Sequence, residues 1–362
     1  MVPRFYTGAR KTMSRVQTLA NYLSSPRAMA LTFGFCATVS SVIAAYWEGR
    51  LFSVEYIKNS SGDVLTILPF DRNISTLLDF ILLNPFVIYF LQRARIQQLT
   101  VRKYLGLNNI PQYHQLGVLI LSVVLGIYAM KFYVQGSQFY DATMVPNVKG
   151  QVTITVTGWI VYSWTALYIA GLIYAAMEHG AYVTCIVCLE RRAIPYTPFH
   201  PDQAGGIRFM MDPSLSFGYA MSGLLLTFVV FIIQDRIYHI ESNRLLGFVA
   251  YILISAPLFG LPFYHLHRLM KERRDDYLFE ALDHATPISV AAERLRDPKM
   301  LKEHVAAIEN VDKYRKIVLS FPVWPMPISL TLNPAGSILA AAFPLVEKLL
   351  SNTFPGFSIL GQ

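Results

Sequence analysis

The sequence predicts an all-α membrane protein: a polytopic bundle of about six transmembrane helices, with a small extracytoplasmic β cap and cytoplasmic helices. Three observations predict it. Six uncharged or nearly uncharged runs occur, Ala28–Tyr46, Asn73–Gln92, Leu116–Val134, Val156–Met177, Phe217–Ile233 and Leu246–His265. About 20 apolar residues cross roughly 30 Å of hydrocarbon, and a helix satisfies its own peptide groups there. The chain of 362 residues is 54% hydrophobic and 15% charged, with a mean hydropathy of +0.39, where soluble domains carry about 25% charged residues. Basic residues alternate in density from one side to the other. Arg4, Arg10, Lys11, Arg15 and Arg27 precede the first run, and Arg93, Arg95, Arg102 and Lys103 follow the second, with no acid in either segment. The stretch from Arg268 to Lys316 is also rich in Lys and Arg. This positive-inside pattern places the N-terminus in the cytoplasm. It also accounts for the net charge of +8 with the lipid bilayer as partner and no nucleic acid.

The organisation follows in order. Residues 1–27 form a basic cytoplasmic arm able to lie on anionic lipid. Residues 28–266 form the transmembrane bundle. In its first outer loop, Leu51–Ile57 and Val64–Phe70 flank Asn59-Ser-Ser-Gly62, which reads as a hairpin. Gln151–Thr157 alternates as a strand before the fourth span. That span has no strong breaker before Arg192 and is expected to project beyond the bilayer. Asp212-Pro213, Thr286-Pro287 and Asp297-Pro298 each place a capping side chain before proline, a helix-start signal. Residues 267–316 read as a cytoplasmic helical region. Residues 317–362 form a Pro-rich and apolar segment, with the run 328–346 read as re-entrant or interfacial because prolines interrupt it.

Asp79 is the acid well inside a span, with Asn84-Pro85 following it. An intramembrane ionisable group is by default a candidate site, so Asp79 and Asn84 are read as an ion path; the competing reading is a hydrogen bond between helices near the interface. Between the fourth and fifth spans, His200-Pro-Asp202-Gln-Ala-Gly205-Gly206-Ile-Arg208 gathers an ionisable pair, a rigid proline and two permissive glycines. It reads either as an acid–base or anion-binding loop at the cytoplasmic mouth or as a tight turn, and residue types alone favour the turn. Glu178, His179, His265 and His267 fall at span ends, where polar side chains solvate readily. They could also join His200 and Asp202 in one cytoplasmic site. Cys185-x-x-Cys188 with His200 gives three zinc-type ligands and no evident fourth, so neither a metal nor a cofactor is expected. Walker, Gly-x-Ser-x-Gly, His-Glu-x-x-His and dinucleotide motifs are absent from the sequence.

His200-Pro201-Asp202 and Ala204-Gly205-Gly206, with the looser Pro322-Val-Trp-Pro325, resemble the marks of a family of uncharacterised bacterial multi-pass inner-membrane proteins. Arg208 departs from the small residue usual there. The resemblance covers about the second half of the chain and implies a bacterial membrane protein without an assigned activity. The reading adopted is a non-enzymatic, homo-oligomeric channel or transporter for a small ion or solute. The alternatives are a membrane-embedded enzyme using His200 and Asp202 on a lipid-linked or phosphate-bearing substrate, and a scaffold docking a cytoplasmic protein.

Overall fold

The computed structural model describes residues 25–58, 64–67, 69–106, 116–127, 144–146, 152–189, 196–197, 199–200, 202, 204–237, 244–289 and 298–324. Residues 1–24 of the basic arm and the run 328–346 lie outside the described residues. Helix α1 is Pro26–Trp47. A short α2, Ile74–Leu78, leads through a π-helical turn, Asp79–Leu83, into α3, Asn84–Tyr104. Helix α4 is Leu116–Ile127, α5 is Val156–Val187, α6 is Asp212–Ile237, α7 is Arg244–Ser289 and α8 is Pro298–Leu319. Among the described residues, four segments are long and apolar enough to cross a membrane: Pro26–Trp47, Thr76–Tyr104, Val156–Val187 and Asp212–Val230. The other two expected spans are helical where described, in α4 and within α7.

Local chemistry sets these ends. Ser25 caps α1, its Oγ accepting from Ala28 N–H at 3.2 Å, with Pro26 in the first turn. Asn73 Oδ1 accepts from Thr76 N–H. Thr155 Oγ1 accepts from Gly158 N–H at 3.0 Å. That cap is why the strand expected over Gln151–Thr157 ends at Ile154: once Thr155 accepts from inside a helix, the next residues are its first turn. α6 and α8 start at Asp212 and Pro298, as the Asp-Pro pairs predict. Thr286-Pro287 does not start a helix. α7 runs through it to Ser289, because proline in a last turn removes a single backbone bond.

Strands β1 (Glu55–Lys58) and β2 (Val64–Ile67) pair antiparallel with Glu55 opposite Ile67. β3 (Met144–Pro146) and β4 (Val152–Ile154) do the same with Met144 opposite Ile154. Glu48 ties this end together: it closes α1 and accepts from Val156 N–H (2.8 Å), Thr157 N–H (3.0 Å) and Thr157 Oγ1 (2.5 Å). A carboxylate at the first turn of α5 meets the positive end of the helix dipole.

α3 is central and packs on α1, α5 and α6. The contacts are close because glycine admits them. A Cβ on Gly34 would lie 2.6 Å from Pro85 Cγ and 2.7 Å from Phe80 O, and one on Gly223 would lie 2.7 Å from Phe86 Cδ1. Buried side chains form three clusters. One lies at the hairpin end around Ala37, Phe70, Phe80 and Tyr162. A second joins Val87, Leu91, Tyr168 and Phe217. The third, at the other end, joins Tyr182, Ile186, Tyr196, Met210, Leu266 and Phe321.

Candidate functional site

Two places bring polar groups into the apolar bundle. The first is the π-turn. Asn84 N–H donates to Asp79 O, one residue wider than an α-helical bond, and Pro85 has no N–H to offer the carbonyls behind it. Such turns recur at functional sites. Asp79 is 6% exposed and Asn84 4% exposed. Asn84 Oδ1 has no hydrogen-bond partner. Across on α5, Tyr168 is buried, its hydroxyl also lacks a hydrogen-bond partner, and it is close enough to Asp79 to interact electrostatically. Thr38 Oγ1, on the Gly34 face of α1, is a further buried oxygen without a partner. Leaving such groups unmade in an apolar setting costs about 1–3 kcal/mol each.

The second is a cavity of about 210 Å³ between α1, α3 and α5, with Phe217 of α6 on one wall. Its lining is mainly apolar, including Met29, Phe33, Ile88, Leu91 and Leu172. Tyr168 lies at one end. About 15 Å along α5 from it, by helical rise, Glu178 lies at the other. There Arg95 Nε is 3.2 Å from Glu178 Oε2, Tyr174 OH donates to Glu178 Oε1 at 2.8 Å, and the guanidinium lies 5.5 Å from the Tyr174 ring centre.

His179 follows Glu178 but faces another way. It is fully buried and stacked on Phe217, ring centres 4.0 Å apart. Nδ1 is 2.8 Å from Gln98 Nε2 and Nε2 is 3.3 Å from Leu258 O. Only one tautomer satisfies both: Gln98 donates to Nδ1, and Nε2–H donates to Leu258 O. That carbonyl is available because its helical donor would be the N–H of residue 262, which is Pro262.

The His200–Arg208 loop is built around Asp202. Oδ1 accepts from Ala204 N–H and Gly206 N–H, both at 2.9 Å, and Oδ2 accepts from Arg208 N–H at 3.3 Å. His200 Nδ1 is 2.9 Å from Oδ1 and donates to it when protonated there. Partial burial pushes the Asp202 carboxyl up, but these hydrogen bonds outweigh it and hold it below the ordinary carboxylate value. Gly205 and Gly206 adopt φ of +64° and +81°, and a Cβ on Gly205 would lie 2.5 Å from Tyr196 Cε2. Tyr196 in turn donates to Pro322 O at 2.9 Å. Its hydroxyl is pushed up to about 12, chiefly by burial, so it stays a donor at neutral pH. Pro322-Val-Trp324 is clasped again from α7: His267 Nδ1 lies 2.7 Å from Val323 O and its ring stacks on Trp324 at 4.0 Å.

The polar residues read as able to join one cytoplasmic site are dispersed. Glu178 faces the cavity, His179 the α6–α7 seam, His267 the Val323-Trp324 segment and His200 its own loop; His265 is half-buried with Nε2 lacking a hydrogen-bond partner. The Asp202 oxygens are taken up by backbone amides, which matches the tight-turn reading of the loop. Arg208 contributes its N–H to that turn and interacts with Asp212. Tyr168, Gln98, Arg95 and Glu48 were not singled out from the sequence. The only available signal was their polarity within or beside apolar runs. A scan against protein-family models, a search of curated proteins and a search of solved structures each return no match.

Proposed function

We propose that this chain is a polytopic membrane protein of the bacterial inner membrane, N-terminus inside and assembled as a homo-oligomer, that passes a small cation across the bilayer. Asp79 is the group the cation engages. One observation supports this: a buried carboxylate opens a π-turn that closes on Asn84 and lies near enough to Tyr168 to interact electrostatically, and Asn84 Oδ1 and the Tyr168 hydroxyl are buried oxygens without hydrogen-bond partners. Hard cations and protons are held in such oxygen-lined, low-dielectric settings. A small ion also needs no large substrate pocket.

The test uses the purified chain in vesicles with pH- and ion-sensitive dyes inside. Asp79→Asn keeps the side-chain shape and removes the charge. Flux of the transported ion is expected to fall at least tenfold, about 1.4 kcal/mol in the barrier. Unchanged flux in Asp79→Asn vesicles refutes the assignment.

A second reading, docking of a cytoplasmic protein, is favoured by α8, which leaves Val305, Ile308, Tyr314 and Ile317 exposed. Removal of residues 298–319 is then expected to abolish capture of a stoichiometric partner, and retained capture counts against it.

A further inference from the structure

The cavity between α1, α3 and α5 meets the Asp79 site at Tyr168 but carries a separate polar group, Arg95 with Glu178, at its other end. It is a slot made by one stripe of each of two helices running in the same direction. Ile88, Leu91, Gln92 and Arg95 recur at helical spacing on α3, and Tyr168, Gly171, Ala175 and Glu178 do so on α5. Met29 and Phe33 of α1 line the same space. Between its polar ends the slot is lined by Met29, Phe33, Ile88, Leu91 and Leu172, which offer water none of the two to four polar partners it needs. In a bilayer, the matter at hand to fill it is acyl chain.

The polar end is equally specific. Arg95 spends only Nε on Glu178, and its guanidinium carbon lies over the Tyr174 ring, 5.5 Å from the centroid. The two terminal nitrogens, four N–H donors in a rigid fork, have no hydrogen-bond partner among the described residues, and the side chain is 44% exposed. That fork matches a phosphate bidentately. Arg102 reaches the Glu178 backbone carbonyl at 3.5 Å, and its buried Nε lacks a hydrogen-bond partner. Two guanidinium groups thus stand against one carboxylate, leaving a positive charge at the mouth.

We propose that this slot binds an anionic phospholipid of the surrounding leaflet, one acyl chain between α3 and α5 and the headgroup phosphate on the free fork of Arg95. The inference does not rest on ion passage and is read out separately from it. Trp164 reports on the site, since its ring packs edge-on against Phe33 at 5.2 Å.

The experiment uses the full chain with Trp47, Trp159 and Trp324 replaced by Phe, reconstituted in phosphatidylcholine vesicles. Brominated phosphatidylglycerol or brominated phosphatidylcholine is added at matched mole fractions, and quenching of Trp164 is measured. Phosphatidylglycerol is expected to quench at several-fold lower mole fraction and to saturate. Arg95→Gln is expected to remove that preference. Gly171→Leu places a side chain at the slot from a position where a Cβ meets nothing within 4 Å, so it is not expected to disturb the helix packing. It should reduce quenching by both lipids to the level of bulk contact. Equal quenching by the two lipids in the unsubstituted background overturns the proposal. So does a preference that survives Gly171→Leu in protein of unchanged helix content.

Discussion

Gly205→Ala tests the account of the His200–Arg208 loop as a built turn. Gly205 has φ +64°, a region that costs an L-residue about 1–2 kcal/mol. The added methyl would also sit 2.5 Å from Tyr196 Cε2 and 2.6 Å from Cδ2. The ring cannot simply swing aside. It is 8% exposed, its hydroxyl holds Pro322 O, and Gly205 O accepts from Thr197 N–H at 2.8 Å beneath it. Overpacking of this kind costs about 1–3 kcal/mol, so the sum is about 2–5 kcal/mol. Gly106 separates the two contributions. Its φ is +71° and a Cβ there meets nothing within 4 Å, so Gly106→Ala should cost only the dihedral share. The assay is thermal unfolding in detergent at one fixed scan rate, since irreversible unfolding makes the midpoint rate-dependent. The expected order of midpoints is parent, then Gly106→Ala, then Gly205→Ala. In a Tyr196→Leu background the extra cost at Gly205 should shrink, a coupling that a double-mutant cycle measures. Equal midpoints for the two glycine variants would refute the steric argument.

Three other outcomes are expected. His179→Phe keeps the stack on Phe217 but strands the Gln98 amide and Leu258 O, at about 1–3 kcal/mol for each buried group. Adding Gln98→Leu should recover part of the loss, and full additivity in the unfolding midpoints would deny the contact. Asp202 is predicted to hold its loop down to unusually acid pH. Its folded value lies below the ordinary carboxylate value, so its stabilisation is complete above that ordinary value and is lost only as pH falls through the lowered folded one. Amide exchange at Ala204 and Gly206 should accelerate only in that acid window, and Asp202→Ala should accelerate it at neutral pH. Glu48→Ala removes the acceptor for the first amides of α5 and should cost about 0.5–2 kcal/mol. Glu48→Gln should retain part of the cap, and indistinguishable midpoints for parent and Glu48→Ala would remove Glu48 from the account.

What the sequence disclosed depended on how local the cause was. Span-forming helices are visible because hydrocarbon immersion acts on each segment separately, and Asp212-Pro213 and Asp297-Pro298 mark starts through their own side chains. The His200–Arg208 loop shows its ingredients but not its purpose. Asp202, Ala204, Gly206 and Arg208 are spaced two apart, yet only the folded turn shows that the carboxylate is used up by three amides. Gln98 and His179 are 81 residues apart, and Tyr168 and Asp79 farther still, so no local pattern could join them.

Proline connects these cases. Away from water a carbonyl whose helical donor is missing needs another partner, so a proline inside a buried helix calls for a polar event nearby. Pro262 leaves Leu258 O open, and His179 reaches across from α5 to occupy it. A histidine at a span end, which invites a functional reading, is thereby accounted for by backbone chemistry. Pro85 is handled differently. The helix widens by one residue at Asp79–Leu83, and Gly34 lets α1 close on Phe80 O. That widening accounts for the backbone but makes no use of Asn84 Oδ1 or the Tyr168 hydroxyl. The two proline sites thus part company: at Pro262 the polar side chain is consumed by the repair, while at Pro85 two buried oxygens remain beside a carboxylate after the repair is complete. This difference is the physical reason the proposed ion path runs past Asp79, while His179 is accounted for by backbone chemistry.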